Sequence, residues 1–309
     1  MTTQILRIAT RKSPLALWQA NYVGEKIKQH WPSVIIELVP LLTSGDKFLK
    51  DKLLAIGGKG LFVKELEEAL LANQADLAVH SMKDVPALFP EGLILAAICK
   101  RHNPGDAFIA HSCKKLDELP RGSIIGTSSL RRQSQLLALR SDLQIKSLRG
   151  NINTRLDKLK SGEYDAIILA VSGLERMGFQ DVISEILSEK IMLPACGQGA
   201  LGVECRSDDA EIQKILAPLN DPLSALCVHT ERQVNALLGG NCHVPLAVFA
   251  TIEANNQMLL RAKVLTSDGK KVIEDQQYGL LSEAKNLADA CANALIAKGA
   301  SKLLALNNE

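Results

Sequence analysis

Four short runs of the sequence combine hydroxyl, amide and guanidinium side chains, and each follows a predicted strand and precedes a predicted helix. They span residues 10–13, 127–132, 149–155 and 172–176. Arginine pairs with carboxylate or phosphate through two parallel hydrogen bonds, and a helix N-terminus adds unpaired N–H groups and the positive end of the helix dipole. The runs therefore predict a site for an anionic ligand. The alternative is that their serines and asparagines only cap helices and that their arginines are solvated.

The distribution of charge favours the same ligand class. The formal net charge of all 309 residues is only +2, whereas residues 121–160 contain nine basic and two acidic side chains. A local basic field in a nearly neutral protein indicates an anionic partner. A nucleic acid is the alternative partner, but aromatic residues make up 4% of the chain, which provides no platform for base stacking.

An acidic residue follows another predicted strand. The run His-Ser-Met-Lys-Asp-Val-Pro covers residues 80–86, and the strand is predicted over 76–80. Ligands of open α/β sheets bind beyond the carboxyl ends of strands. Asp84, beside a lysine and ahead of a proline, is therefore a candidate catalytic carboxylate, and the alternative is an ordinary turn residue. His80 is expected to be buried in the strand.

Two further patterns argue against a P-loop and against a metal site. The glycine-rich run at 57–60 lacks the spacing of a phosphate-binding P-loop, and Leu61 stands where that motif needs serine or threonine. Lys59 within this run is a candidate contact for an anion. The histidines and cysteines form neither a His-Glu-x-x-His nor a Cys-x-x-Cys pattern, so no metal site is predicted.

One cysteine stands in an unusual context. Two glycines precede the run Asn-Cys-His at 241–243 and are expected to present Cys242 on a turn. An accessible thiol can react as the thiolate, whereas the usual role of an isolated cysteine is that of a small buried apolar residue. The chain has seven cysteines without a pairing pattern, which indicates reduced thiols in a cytoplasm. Residues 1–4 lack the features of a signal peptide.

Strands that alternate with helices must position these residues. Strands are expected at 6–9, 35–41, 76–80, 93–99, 124–126, 145–148, 164–171 and 201–204. Helices are expected from Pro14 after a Ser13 cap, over 61–73, over 129–139 and from about 151. This alternation predicts two α/β lobes with mostly parallel sheets. Residues 101–106 and 194–199 break the pattern and are expected to cross between the lobes.

The pattern changes from about residue 220. Helices are expected at 223–238 and 283–298, and strands at 244–252, 258–265 and 271–278. Hairpin turn residues join these strands, so a smaller α+β domain with a three-stranded antiparallel sheet is predicted. The expected domains are domain 1 (1–99 and 200–219), domain 2 (100–199) and domain 3 (220–309), which carries the Cys242 loop. No apolar stretch approaches the roughly 20 residues of a membrane span.

Six motifs in order along the chain carry a family resemblance. They are RIATR with SPLA within residues 7–16, GGKGLF at 57–62, HSMKDVP at 80–86, GTSSLRR at 126–132, LRGN at 148–151 and GNCHVP at 240–245. Together they resemble the porphobilinogen deaminase (hydroxymethylbilane synthase) family. The resemblance implies two lobes like those of type 2 periplasmic binding proteins and a third domain that carries the cofactor on a loop.

The resemblance also implies the reaction. The family joins four porphobilinogen molecules head to tail onto a covalent dipyrromethane primer, releases ammonia at each step, and hydrolyses off the linear tetrapyrrole hydroxymethylbilane. By motif position Cys242 carries the primer, and Asp84 is the catalytic carboxylate. Asn241 stands where some members have glycine, which puts the backbone freedom of the loop in doubt but not the cysteine.

The remaining site residues are implied by the same motifs. The expected cofactor contacts are Ser81, Lys83, Thr127, Ser129, Arg131, Arg132, Gly150 and Arg155. The expected substrate contacts are Arg11, Ser13, Gln19, Lys59, Arg149, Arg176 and Gln198. Each pyrrole of the substrate brings an acetate and a propionate, which agrees with the excess of cationic residues.

The expected partner is the small molecule porphobilinogen, without nucleic acid or membrane, and the expected state is a cytoplasmic monomer. The alternative function is a non-catalytic, two-lobed anion-binding or sensor protein, since fold does not fix function. That alternative explains the arginines and the helix caps, but it leaves Cys242 on its glycine turn without a role.

Overall fold

The computed structural model describes residues 5–47, 62–239 and 244–306. The strands within them are β1 (Ile5–Arg11), β2 (Ile35–Leu41), β3 (Leu77–Ser81), β4 (Leu93–Ile98), β5 (Asp106–Ala110), β6 (Ile124–Gly126), β7 (Gln144–Lys146), β8 (Ala166–Ala170), β9 (Glu185–Leu187), β10 (Leu201–Arg206), β11 (Leu246–Glu253), β12 (Gln257–Leu265) and β13 (Val272–Leu280). The helices are α1 (Pro14–His30), α2 (Ser44–Lys47), α3 (Lys64–Leu71), α4 (Leu130–Leu139), α5 (Ile152–Lys160), α6 (Val171–Arg176), α7 (Ala210–Leu216), α8 (Pro222–Leu237), α9 (Ala284–Ala297) and α10 (Ala300–Leu306).

Close contacts divide the chain into two compact units. Unit 1 comprises Met1–Arg101 and Ala200–Ala225, and unit 2 comprises His102–Gly199 and Leu226–Glu309. Each unit contains one five-stranded α/β sheet, and unit 2 also contains a three-stranded antiparallel sheet. The predicted fold class, two α/β sheets followed by a smaller α+β part, is confirmed.

The sheet of unit 1 has the strand order β2-β1-β3-β10-β4. β1 is parallel to β2 and β3, while β10 is antiparallel to β3 and β4. Alternate residues of a strand face opposite sides of a sheet. Accordingly, Leu77 and Val79 of β3 pack in the core that includes residues of α1 and α7, whereas Ala78 packs with Leu66 and Leu70 of α3. His80, two residues after Ala78, is therefore on the α3 face.

Helix α1 begins as its sequence predicts. The Ser13 hydroxyl accepts a hydrogen bond from the Ala16 N–H at 3.3 Å, and Pro14 occupies the first helical position. Serine satisfies an otherwise unpaired amide of the first turn, and proline has no amide to satisfy. The helix therefore starts directly after β1 and brings its N-terminus to the carboxyl end of that strand.

The α/β sheet of unit 2 has the order β7-β6-β8-β5-β9. β6 is parallel to β7 and β8, and β5 is antiparallel to β8 and β9. β5 and β9 were not predicted from the sequence. The first residue of β5, Asp106, lies in the run predicted to be an irregular crossing, and β9 is too short to show a periodic pattern.

The C-terminal sheet of unit 2 is antiparallel in the order β11-β12-β13. Asn255 and Asn256 in the first hairpin have φ of 59° and 56°, the left-handed conformation of tight hairpin turns. In the second hairpin, a Cβ at Gly269 would lie 2.4 Å from the Ala138 nitrogen of α4. Glycine therefore allows this turn to pack directly on α4, and the Gln133 amide also donates to the Ser267 carbonyl at 3.1 Å.

A buried glutamate joins the C-terminal sheet to the rest of unit 2. Glu231 accepts hydrogen bonds from the N–H groups of Gly197 at 2.7 Å and Ala250 at 2.9 Å. Leu193 packs against Ala247 and Phe249 nearby. β11, which follows the 240–243 segment, is therefore fixed to the same unit as α4.

Among the described residues, no helix is long and apolar enough to cross a membrane. No group of three or more histidine, cysteine, aspartate or glutamate side chains in these ranges is arranged to hold a metal ion.

Candidate active site

Asp84 lies on a short 3-10 turn, Met82–Asp84, directly after β3. The turn is anchored because Met82 is buried and its N–H donates to the Ala200 carbonyl at 3.1 Å. Asp84 itself is exposed. The anchored methionine thus holds an accessible carboxylate at the carboxyl end of a parallel strand, where the sequence predicted a catalytic acid.

A small cavity of about 40 Å³ brings the predicted residues of unit 1 together. Its walls include Arg11, Gln19, Phe62, His80, Ser81 and Asp84. That volume exceeds the space of one water molecule and is much smaller than a substituted pyrrole. The cavity therefore forms the floor next to Asp84 rather than a complete substrate pocket.

Hydrogen bonds and ring contacts order this floor. The buried Gln19 donates from Nε2 to the Ser81 hydroxyl at 2.9 Å. The Arg11 guanidinium lies over the Phe62 ring at 4.1 Å from its centroid, a cation–π contact. Ser13 caps α1 beside Arg11. Lys83 is half-buried on the same turn as Asp84.

In unit 2, two predicted arginines converge on one buried acid. Asp106 Oδ2 lies 2.8 Å from Arg131 Nη2, and Asp106 Oδ1 lies 2.7 Å from Arg132 Nη2. Arg131 also donates to the Leu193 carbonyl at 2.6 Å, and Arg132 to the Ile168 carbonyl at 2.9 Å. The arginines are 5% and 7% exposed, and Asp106 is fully buried. The interpretation of these two arginines as solvated is therefore wrong.

Burial and charge act in opposite directions on Asp106. Removal from water raises the pKa of its carboxyl, but the adjacent guanidiniums of Arg131 and Arg132 outweigh burial and hold that pKa below its ordinary value. Gln198 adds a hydrogen bond from Nε2 to Asp106 Oδ1 at 3.2 Å and another to the Pro104 carbonyl at 2.6 Å. Gln198 thus supports the ion cluster from inside unit 2.

The N-terminus of α4 is built from the predicted hydroxyls. Ser129 caps the helix and accepts from the Arg132 N–H at 3.4 Å. The buried Thr127 accepts from the Ser129 N–H at 3.2 Å. Since Arg131 and Arg132 lie in the first turn of α4, the Asp106 cluster holds this helix terminus in place.

The N-terminus of α5 has the same design. Asn151 caps it and accepts from the Thr154 N–H at 2.9 Å. Gly150 has φ of 117°, and a Cβ there would lie 2.8 Å from the Thr154 side chain, so only glycine fits. Arg155 donates from Nε to the Gly150 carbonyl at 2.8 Å. Arg149, on the other side of Gly150, is half-buried.

For Arg176 too, the alternative interpretation of a solvated side chain is wrong, whereas its predicted role as a substrate contact stays a prediction. Arg176 is buried at the end of α6 and donates from Nη2 to the Gly199 carbonyl at 2.7 Å. Lys59 and Cys242 lie outside the described residues, so their roles stay predictions.

The residues present in unit 2 fit a ligand with several carboxylates. Capped N-termini of α4 and α5 supply oriented N–H groups and positive dipole ends, and Gly150 leaves bare backbone for close approach. Asp106 is buried and already paired with Arg131 and Arg132 in the first turn of α4, so its negative charge does not repel an anion there. A dipyrromethane, with an acetate and a propionate on each ring, matches this chemistry.

Sequence reasoning missed two groups that support the site. Asp106 is one, because its partners lie 25 and 26 positions away and no local pattern links them. The second group is on the α3 face of unit 1, where His80 contacts Glu204 and lies near Glu67. His80 was expected to be buried, which is confirmed, but its acidic neighbours were not predicted.

Comparison with solved structures gives remote likenesses to solute-binding proteins. A putative methionine-binding lipoprotein from Bacillus subtilis is 14% identical, with a TM-score of 0.43 over 71% of this chain and 91% of that one. A nutrient binding protein from Burkholderia cenocepacia bound to methionine is 12% identical, with a TM-score of 0.44 over 70% of this chain and 92% of that one.

Comparison with protein families and curated relatives is far more specific. Residues 6–214 match the family model "Porphobilinogen deaminase, dipyromethane cofactor binding domain", and residues 225–297 match "Porphobilinogen deaminase, C-terminal domain". The porphobilinogen deaminases of Legionella pneumophila strains Lens and Philadelphia 1 are 64% and 63% identical over 304 residues, 98% of this chain and of each relative. The prediction of a transferase with a dipyrromethane cofactor is thereby confirmed, and the chain belongs to the porphobilinogen deaminase family.

Proposed function

We propose that this enzyme joins four porphobilinogen molecules head to tail, releases one ammonia at each step, and hydrolyses off hydroxymethylbilane. The proposal rests on the position of Asp84, whose exposed carboxylate lies on a turn that the buried Met82 holds in place. Asp84 shares one cavity wall with Arg11, Gln19 and Ser81. Family membership supports the substrate class, and this geometry supports Asp84 as the catalytic group.

Asp84 is proposed to act through both its charge and its basicity. Loss of ammonia from the aminomethyl group leaves positive charge on the pyrrole, and a carboxylate fixed nearby stabilises that charge. The same carboxylate accepts the proton that the ring loses after coupling. The buried Met82 anchor keeps the carboxylate in one place through the repeated cycles.

The dipyrromethane, when bound, supplies the pyrrole carbon to which the first substrate is joined. We propose that Cys242 holds it as a thioether, supported by the GNCHVP motif and by family membership. The residues proposed to hold it are Ser81 and Lys83 in unit 1, and Thr127, Ser129, Gly150 and Arg155 at the two helix N-termini of unit 2.

Arg131 and Arg132 are proposed to favour ligand binding without pairing directly with the carboxylates of the ligand. Their hydrogen bonds to Asp106 and to backbone carbonyls hold them in the first turn of α4. From there they add positive charge to the helix terminus and keep its N–H groups in place for carboxylates.

Substrate carboxylates are assigned to a second set of residues. These are Arg11, Ser13, Gln19, Lys59, Arg149, Arg176 and Gln198. Arg11 and Ser13 stand at the N-terminus of α1, which favours an anion. A charge-assisted hydrogen bond contributes about 1.5–3 kcal/mol, so the loss of one such side chain weakens elongation without abolishing it.

The organisation of the protein completes the proposal. Domain 1 comprises 1–99 and 200–219, domain 2 comprises 100–199, and domain 3 comprises 220–309. The enzyme is proposed to be a cytoplasmic monomer that acts on porphobilinogen alone, without nucleic acid or membrane.

Stoichiometry tests the proposal directly. The holoenzyme is incubated with porphobilinogen, and ammonia and hydroxymethylbilane are measured over time. We expect four ammonia for each hydroxymethylbilane, strong loss of both in Asp84→Asn, and normal amounts in the control Glu91→Gln, an exposed acid of the same unit. Unconsumed porphobilinogen with the native holoenzyme would instead support the non-catalytic alternative.

A further inference from the structure

A buried acid–imidazole cluster lies on the α3 face of unit 1. His80 Nε2 lies 2.8 Å from Glu204 Oε2, and the two residues are 5% and 0% exposed. Glu67 of α3 is half-buried and interacts electrostatically with both. We call these three residues the Glu67 cluster. The reaction steps derived above do not use it.

The sheet register explains how His80 reaches Glu204. In the antiparallel pair of β3 and β10, Gly202 is opposite His80 and Glu204 is opposite Ala78. His80 and Glu204 are therefore diagonal neighbours on one face, within reach of long side chains. A Cβ at Gly202 would lie 2.2 Å from the Met82 sulfur, so glycine also makes room for the anchor of the Asp84 turn.

The carboxylates of the cluster are incompletely satisfied. Glu67 Oε1 and Glu204 Oε1 are both buried and accept no hydrogen bond from the residues that the structure describes. For Glu67, removal from water disfavours the charged form of the carboxyl. Burial, and then the negative charge of Glu204, raise the pKa of Glu67 from 4.5 to about 7, and His80 opposes this rise.

Within the described ranges, few other charges face the cluster. Glu68 on α3 adds a small negative contribution at Glu67. Arg206, two residues after Glu204 on β10, is held by Asp209 at 2.8 Å and by the Leu70 and Ala75 carbonyls. Arg11 and Asp84 line the cavity that His80 also lines. His80 is thus the member of the cluster that lies in one cavity wall with the catalytic carboxylate.

We propose that the Glu67 cluster stores and returns a proton for Asp84 during each coupling cycle. This inference rests on the proposed function. The aminomethyl group of the substrate reacts as its ammonium form, and its carbon–nitrogen bond breaks with the electron pair on nitrogen, which gives ammonia and leaves positive charge on the pyrrole. The new carbon–carbon bond then forms with an electron pair from the ring of the growing chain. The carbon–hydrogen bond at the coupled ring position then breaks, and its electron pair restores the aromatic ring. The proton passes to Asp84, then through the cavity to the cluster, and finally to ammonia, which leaves as ammonium. No oxidant or reductant takes part.

This assignment gives the cluster a purpose that packing alone does not explain. A proton acceptor works best when its pKa is near the working pH, and Glu67 meets that condition while Asp84 stays free to stabilise charge. In the proposal Asp84 is the catalytic residue, and Glu67, His80 and Glu204 are positioning residues that act through it.

The test compares Glu67→Gln with Glu68→Gln, an exposed neighbour on the same helix. Intact mass first checks that both holoenzymes carry the cofactor. Carbon NMR of glutamate labelled with ¹³C at the carboxyl is then recorded from pH 5 to pH 9, and kcat is measured over pH 6–9. We expect a carboxyl titration near pH 7 in the native protein and in Glu68→Gln, absent in Glu67→Gln.

The kinetic readout separates storage of a proton from a structural role. Native kcat is expected to fall as the pH decreases through about 7, whereas Glu67→Gln loses that limb and is about tenfold slower at pH 8. If the kcat of Glu67→Gln depended on pH in the same way as the native kcat, the proposal would be overturned, even if the native protein showed the carboxyl titration. Failure of the native holoenzyme to form hydroxymethylbilane would instead contradict the proposed function. If the native enzyme formed hydroxymethylbilane but showed no carboxyl titration near pH 7, only the proposal of proton storage by the Glu67 cluster would be overturned.

Discussion

Asp106 and Arg132 form a buried ion pair in which Oδ1 lies 2.7 Å from Nη2 and 2.8 Å from Nε. Arg131 shares the same carboxylate through Oδ2. This pairing changes the interpretation of two residues that the sequence places among the carboxylate contacts. They hold the N-terminus of α4 from within unit 2, so we expect their substitution to lower the stability of the protein as well as to weaken ligand binding.

The Asp106→Asn variant is expected to be strongly destabilised. It leaves two guanidiniums buried without a carboxylate, and breaking a buried pair costs about 3–5 kcal/mol. Urea unfolding measures the effect, with the exposed Asp117→Asn as the control. A change in unfolding free energy below that of the control variant would contradict the structural role.

The same carboxyl predicts acid sensitivity. Because Arg131 and Arg132 outweigh burial and lower the pKa of Asp106 in the folded state, its contribution to stability is present above the ordinary pKa of 3.8. That contribution is lost as the pH falls through the lower, folded value. The native protein should therefore lose more stability than Asp106→Asn as the medium is acidified below about pH 4.

Asp84→Asn is expected to abolish nearly all turnover while the fold and the cofactor remain. The side chain is exposed, so the substitution disturbs no packing, whereas a general base and charge stabiliser contributes 10²-fold or more to the rate. Single-turnover ammonia release measures the chemical step. Near-native rates in this variant would remove Asp84 from the mechanism.

Arg132→Leu and Arg149→Leu are expected to fail in different ways. Arg132 is buried on Asp106, so its loss should lower the melting temperature and the fraction of protein that carries cofactor. Arg149 is half-buried, and its loss should raise KM for porphobilinogen about tenfold or more with little change in melting temperature. Equal effects of both variants on stability would argue against this distinction.

Glu67→Gln is expected to stabilise the protein at alkaline pH. The pKa of Glu67 is raised from 4.5 to about 7 by burial and by Glu204, so the native protein loses stability as the pH rises between these values. The side chain is half-buried, and after a discount for solvent screening the gain at pH 8 is about 1 kcal/mol. Calorimetry at pH 5 and pH 8 checks this, and an equal difference at both would contradict it.

The helix caps of the candidate site could be predicted from the sequence, because they depend on residues close together in the chain. Ser13, Ser129 and Asn151 were predicted at strand–helix junctions, and each caps the helix that follows. Side-chain capping involves residues within three positions of each other, so a single sequence contains the needed information. The alternation of strands and helices likewise gave the two α/β sheets.

Contacts between distant residues could not be predicted in this way. His80 and Glu204 are 124 positions apart and meet only because of the antiparallel register of β3 and β10. Asp106 lies in a run that resembles an irregular crossing, and its role depends on α4 folding over β5. Buried charge pairs between distant residues therefore could not be predicted from the sequence. The motif-based assignments of Lys59 and Cys242 stay predictions.

The central claim is that Cys242 holds a dipyrromethane, and peptide mapping of the native holoenzyme tests it most directly. Cleavage after arginine yields a peptide of residues 233–261 whose single cysteine is Cys242. We predict that this peptide carries the mass of two porphobilinogen units less two ammonia, and that Cys242→Ser lacks the addition. Active enzyme with an unmodified 233–261 peptide would contradict the account.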